Sequence, residues 1–454
     1  MAGIGFELQR VLDSEKSQFK KLNTALKSMI VTSGPWLISI ITLILLKLFI
    51  SEITTVDMFM SFINIIIYSF IFSMVLTSPF INVITRYLSD LIYMKEFNKI
   101  FPLFLSSTVF ITILCFAFSS FYIYYFTDLQ ENMLAVSALF TSLGLLWLIM
   151  VFVSTLRNYS LVSNSFLIGM TISIITIYFF KNESLDALLK GFSIGVLITI
   201  SILIAKLKFD FESEKIFDFK FLFLKKYIPL FLSGFTFYFA IWVDKFIYWF
   251  ASDHGVELTK GFFFFPEYDF AIFLAYLIVI PTTAYFTIFV ETTFHDAQRN
   301  YFGSIENKKR LDVIRTYETE LKKAFFKGLI NTTIFQFVIA VFFIILVQYF
   351  LDSSSNISTI PILRIVVLAV SFQMILNVLI IFMYYFNYQK EVLIISIIYL
   401  ILNIVFTLYY KDFSYIYVGY SFFYSTLITL FIALIISLYK IENINYYTFS
   451  RNEI

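Results

Sequence analysis

Cysteine is almost missing from this chain. Cys115 stands alone in an apolar run, which excludes an intrachain disulfide framework and any thiolate metal site. Histidine is as scarce: His254 and His295 fall on separate loops and cannot form a His cluster. No G-x-x-x-x-G-K-S/T and no Gly-rich dinucleotide turn occurs, so the chain has no visible means of hydrolysing ATP. No catalytic pocket, cofactor or metal is expected, and an enzyme is not the expected class. Charge is low as well, at 14% of 454 residues, whereas a soluble protein keeps about 25% to wet its surface. The net charge of +2 is too small to point to a nucleic-acid partner.

What is present is apolar length. The chain is 60% hydrophobic with a mean hydropathy of +0.86, so most of its surface must face a lipid bilayer. A hydrocarbon core of about 30 Å needs roughly 20 apolar residues in a helix. Twelve runs meet that length: 28–50, 59–84, 101–126, 132–155, 160–180, 186–206, 227–250, 269–291, 325–350, 361–386, 391–410 and 413–438. Runs this long do not fit barrel strands, so the expected fold is all-α and polytopic. No A-x-A cleavage pattern follows the first run, which reads as an uncleaved first helix.

Lys and Arg divide unequally between alternate connections. Seven of the 33 (Lys47, Lys181, Lys190, Lys245, Lys260, Arg364 and Lys411) fall on one side, leaving 26 on the side of both termini. The positive-inside bias therefore places both termini in the cytoplasm. Six spans lie on either side of a charged interruption, KLKFDFESEKIFDFKFLFLKK, and Ser33-Gly34 recurs as Ser233-Gly234. The expected organisation is an amphipathic segment (1–27), an N-lobe (28–206), a linker hugging the membrane surface (207–226), a C-lobe (227–438) with a cytoplasmic insertion at about 292–324, and a tail (439–454).

Several local features stand out. In the first segment Phe19, Leu22, Leu26 and Met29 step by three or four while Lys16, Lys20, Lys21 and Lys27 fill the other side, as in a basic surface helix. Gly3 and Gly5 before Glu7 serve no packing purpose unless the backbone there approaches something closely. Thr32-Ser33-Gly34-Pro35-Trp36 should kink the first span at Gly34 and Pro35, either as a gate or as an ordinary kink. The run 227–294 is two apolar spans joined by a short polar loop, with Asp244 and Lys245 inside the first and Glu267, Asp269 and Glu291 at the ends of the second. An ion at the bilayer centre costs at least about 2.5–3.5 kcal/mol, so each needs a partner, water or an interfacial position. Lys245 is expected to snorkel outward to headgroups, while the shorter Asp244 must find water or a cation locally. The 60 Phe and 30 Tyr fit either sugar stacking or the lipid-facing filler of an A/T-rich genome.

At AGIGFEL, SGPW, SGFTFYFAIWVDKFIYW and PEYDFAIFLAYLIVIP…VETTF the sequence resembles the PelG family of exopolysaccharide transporters, and the likeness runs over essentially the whole chain. Pro281-Thr282-Thr283 departs from it, where a smaller, Gly-containing run is expected, and leaves the local helix packing open. The resemblance implies the multidrug/oligosaccharidyl-lipid/polysaccharide (MOP) exporter superfamily, with two six-helix lobes around a central cavity. It further implies export of an amino-sugar polymer made by a cytoplasmic glycosyltransferase, with the membrane partners PelD and PelE. On that expectation Asp244 and Glu291 face the transport path, and Glu291 pairs with Arg86 or Arg157 to close the inner mouth; interfacial solvation is the plainer role for both acids. A flippase for lipid-linked oligosaccharide, an ion-coupled drug antiporter and a non-transporting scaffold for the synthase are the other functions in view.

Overall fold

The computed structural model describes residues 2–14, 23–34, 56–153, 155–156, 158–180, 184–211, 213, 216–223, 225–351 and 359–450. Nearly all of them are helical, the form in which a chain immersed in hydrocarbon satisfies its own backbone groups. Eleven of the described helices are long and apolar enough to cross a membrane. The expected first span, 28–50, falls outside the described residues after Gly34, as do Pro35 and Arg157.

By contact density the chain forms two units, Leu26–Phe265 and a second made of Met1–Ala25 with Pro266–Ile454. The division falls at Phe265, after the first helix of the expected C-lobe, rather than within 207–226. In the first unit, α2 (residues 23–34) is followed by α3 (Val56–Tyr93), α4 (Ile100–Phe126), α5 (Met133–Val153), α6 (Tyr159–Phe180), α7 (Leu185–Asp210) and α8 (Ile228–Ala251). Gly34 is helical and packs on the Phe166 ring. α8 belongs with α3 because Gly234 lets the two backbones meet. A Cβ at Gly234 would stand 2.7 Å from Asn82 Nδ2 and 2.9 Å from the Ser78 carbonyl, and the Ser78 hydroxyl donates to the Gly234 carbonyl at 3.2 Å.

The loop after α8 is more ordered than a short polar link. Val256–Thr259 (β1) and Phe262–Phe264 (β2) pair antiparallel, Val256 opposite Phe264 and Glu257 opposite Phe263. The hairpin is tied to the helices of its unit: the Phe263 amide donates to Tyr68 Oη at 2.8 Å, and Tyr122 Oη donates to the Gly261 carbonyl at 2.5 Å. Lys260 reaches Asp128 at 2.9 Å, a bond that raises the ammonium's pKa from its ordinary value.

In the second unit α1 (Ala2–Ser14) packs on a long, irregular helical path. That path runs α9 (Pro266–Ala275), a 3-10 turn (Tyr276–Ile278), α10 (Val279–Tyr285), a π-turn (Phe286–Val290) and α11 (Glu291–Glu306). Proline at 281 cannot donate to the carbonyl four residues back, and the path leaves α-geometry on both sides of it. α12 (Leu311–Leu351), α13 (Thr359–Tyr385), α14 (Gln389–Tyr410), α15 (Gly419–Glu442) and α16 (Ile444–Ser450) complete the unit. α13 is its buried centre, whereas α12 presents Ile334, Val338, Val341, Phe342 and Ile345 outward, an apolar face suited to lipid. The expected tail is a docked helix. Tyr301 Oη donates to Asn445 Oδ1 at 2.7 Å, Asn445 Nδ2 donates to Glu318 at 2.5 Å, and the Lys440 ammonium sits 3.8 Å over Tyr447.

Candidate functional site

Two clusters of buried polar groups interrupt the apolar helices, one in each unit.

In the first unit, Asp244 is fully buried on α8 and Lys245 is 3% exposed. Lys245 therefore does not snorkel to headgroups. Its ammonium lies 5.8 Å from the ring centroids of both Trp242 and Trp249, three residues before it and four after, hence on its own face of the helix. Two indole faces attract an ammonium by about 2 kcal/mol or more when water is excluded, one contribution to holding Lys245 inside. Trp249 is fixed in turn by Tyr68, stacked on it at 4.5 Å. The spacing W-x-x-K-x-x-x-W was readable in the sequence and marks the cage.

Arg86 lies toward the charged end of α3, part-exposed, 3.4 Å from Asp90 one turn on. Asp90 is the centre there, since the Tyr227 hydroxyl donates to it and Lys226 stands 3.4 Å away. Sequence reasoning passed over Asp90, although its spacing of four from Arg86 was in view.

In the second unit, Glu291 opens α11 directly after the π-turn and is 4% exposed. Tyr385 Oη of α13 donates to its carboxylate at 2.7 Å. His295, one turn on, meets the Phe6 ring of α1 edge to face at 5.6 Å. Gly3, Gly5 and Glu7 all lie on α1. At Gly5 a Cβ would fall well inside 3.0 Å of the Thr287 carbonyl and at 3.0 Å from Thr292 Cγ2, so only glycine lets α1 seat here. Leu8, on the next turn, is completely buried.

The π-turn has a visible consequence. Thr283, Thr292 and Thr293 each donate to the carbonyl four residues back, at 2.7–2.9 Å. Thr287, within the turn, has a buried hydroxyl with no hydrogen-bond partner among the described residues. An orphaned hydroxyl costs about 1–3 kcal/mol, so the turn is held by its surroundings, of which the α1 contact is one part. Tyr385, Thr287 and the π-turn were not singled out from sequence, and His295, expected on a loop, lies within α11. The departure at Pro281-Thr282-Thr283 was the signal beside them. Among the described residues no group of three or more His, Cys, Asp or Glu could hold a metal ion.

Long apolar helices that bury Asp244, Lys245 and Glu291 and turn aliphatic residues outward define a multi-pass membrane protein, and the comparisons give its class. The family described as PelG, "Putative exopolysaccharide Exporter (EPS-E)", matches residues 1–449, and the chain belongs to it. No curated protein matches. Similar solved structures include an outward-facing multidrug resistance MATE family transporter of the MOP superfamily, at 11% identity and TM-score 0.61 over 96% of this chain and 98% of that one. A MOP superfamily transporter from Pyrococcus furiosus, whose title speaks of a binding pocket of reverse polarity, matches at 12% and TM-score 0.62 over 92% and 96%. A MATE structure in the straight conformation matches at 12% and 0.62 over 98% of both chains. Such low identities show the fold alone.

Proposed function

We propose that this chain carries a Pel-type amino-sugar polymer outward across the bacterial inner membrane as the polymer leaves a cytoplasmic glycosyltransferase, in a synthase-dependent biofilm secretion complex with PelD-like and PelE-like partners. The family match over residues 1–449 carries the reading. The charge bias supports cytoplasmic termini, and chain extension or an ion gradient supplies the drive, with no catalytic step in this protein. Buried carboxylates at Asp244 and Glu291 support a polymer with some free amines, which a carboxylate attracts and a neutral polymer would not exploit.

The test is co-reconstitution with the synthase in sealed vesicles of known orientation, followed by assay of polymer in the lumen. Asp244→Asn and Glu291→Gln keep shape and remove charge. The expected result is luminal polymer with the parental protein, and less of it with each variant at equal protein in the membrane. Polymer left wholly on the synthase side refutes export. Parental transport by both variants removes these acids from the path.

A further inference from the structure

The segment joining α7 to α8 is not used by the exporter reading, yet it is built with care. Its described residues are 211, 213, 216–223 and 225–227, and Lys206–Asp210 at the end of α7 adjoin it. Its two described acids, Asp210 and Asp218, are already bonded within the protein. Asp218 accepts from Tyr87 Oη at 3.0 Å and from the Lys220 amide at 3.1 Å, while its own amide donates to Ser106 Oγ at 2.6 Å. Asp210 is bridged by Lys206 at 2.6 Å, and Phe221 is buried. These bonds pin the strap to α3 and α4 at the level where their apolar stretches give way to Asp90, Lys95 and Lys99.

What faces outward is the complement. Phe209 and Phe223 are 79% and 78% exposed, Phe217 is exposed beside them, and Lys208, Lys220 and Lys225 are exposed with no carboxylate partner among the described residues. Rings held in the open at the end of membrane-crossing helices suit the glycerol level of a leaflet, and ammonium groups interleaved with them suit the phosphates above it. Residues 206–226 carry six lysines against four acids, Asp210, Glu212, Glu214 and Asp218, and with both aspartates already bonded the strap's net charge is cationic. That complements an anionic headgroup and gains little from a zwitterionic one.

We propose that this strap is a binding surface for anionic phospholipid, with Lys208, Lys220 and Lys225 on the headgroup phosphates and Phe209, Phe217 and Phe223 among the acyl chains. The experiment places the full chain in nanodiscs of equal parts phosphatidylglycerol and phosphatidylcholine and counts lipids retained on extraction by native mass spectrometry. Each lysine near an anionic surface contributes about a five-fold preference. Lys208→Gln, Lys220→Gln and Lys225→Gln together should then lower the retained glycerol-to-choline lipid ratio at least about ten-fold. Lys190→Gln, on the opposite side and bridged to Asp186 at 2.5 Å, should leave the ratio unchanged. Phe209→Ser with Phe223→Ser should reduce both lipids together. Added salt should lower the ratio for the parental chain more than for the triple variant. A parental ratio in the triple variant overturns the proposal, as does an equal fall with Lys190→Gln or a ratio indifferent to salt.

Discussion

Gly5→Ala sets two physical effects against each other at one residue. Intrinsic propensity says that alanine stabilises a helix by about 0.8–1.0 kcal/mol over glycine. The packing says the reverse, because the new Cβ meets the backbone carbonyl of Thr287, which belongs to the π-turn and cannot rotate aside like a flexible side chain. Burial of Leu8 contributes about 1.5–3 kcal/mol to docking. The edge contact of Phe6 with His295 adds about 0.5–1.5 kcal/mol. These sum to about 2–4.5 kcal/mol, an upper bound, since α1 in isolation already hides part of that surface.

A 13-residue helix is marginal in water, so α1 keeps its amide protection only while docked. Amide hydrogen exchange over residues 2–14 therefore reads the docking equilibrium directly. If the alanine forfeits most of the docking, exchange there should accelerate by about 10- to 100-fold, while α13 stays unchanged. Slower exchange, by up to about five-fold, would mean that propensity wins and that the Thr287 carbonyl yields. That result would refute the account of the glycine.

Lys245→Gln removes the ammonium from between Trp242 and Trp249 and leaves Asp244 buried. A loss of about 2–4 kcal/mol is expected. A thermal midpoint in detergent within a degree of the parent would show that the cage is not holding the charge. Thr287→Val deletes the orphaned hydroxyl at constant shape, and is expected to be neutral or stabilising by about 1 kcal/mol. The same change at Thr292, whose hydroxyl is bonded to Ile288, serves as the control. Equal destabilisation at both positions would mean that Thr287 has an unseen partner.

Composition and run length made the all-helical, membrane-crossing class legible, because a bilayer leaves few other ways to hide a backbone. The unusual charges were legible for the same reason: Asp244, Lys245 and Glu291 stand out against an apolar background. Their destinations were not. Lys245 read alone is a snorkelling lysine, and read with Trp242 and Trp249 it is a caged one, so the missing step was to place its neighbours on the helix face. The hairpin stayed hidden because Phe262–Phe265 look like the start of the next apolar run. The strand form of Phe262–Phe264 comes from pairing with Val256–Thr259, and the Phe263 amide's bond to the distant Tyr68 ties the hairpin to its helices. Counting spans sets α8 with the helices that follow it, while contact density sets it with α3, which it meets at Gly234 and through the stacked pairs Tyr68–Trp249 and Phe72–Phe246.

The π-turn belongs to a different category, since hydrogen-bond register is not a property of residue composition. Five ordinary residues, Phe286 to Val290, adopt it, and none is a proline or a glycine. Pro281, five residues before Phe286, disturbs the helix ahead of the turn, and what packs against 286–290 bears on the register as well. α1 is one such element: it brings Gly5 to the Thr287 carbonyl and Phe6 to His295, on either side of Glu291. Gly5 and Glu291 lie 286 positions apart in the chain and meet one short stretch of helix. This gives the N-terminal glycine a physical reason that the sequence alone could only pose as a question: it lets a helix reach the backbone of the turn that positions a buried carboxylate.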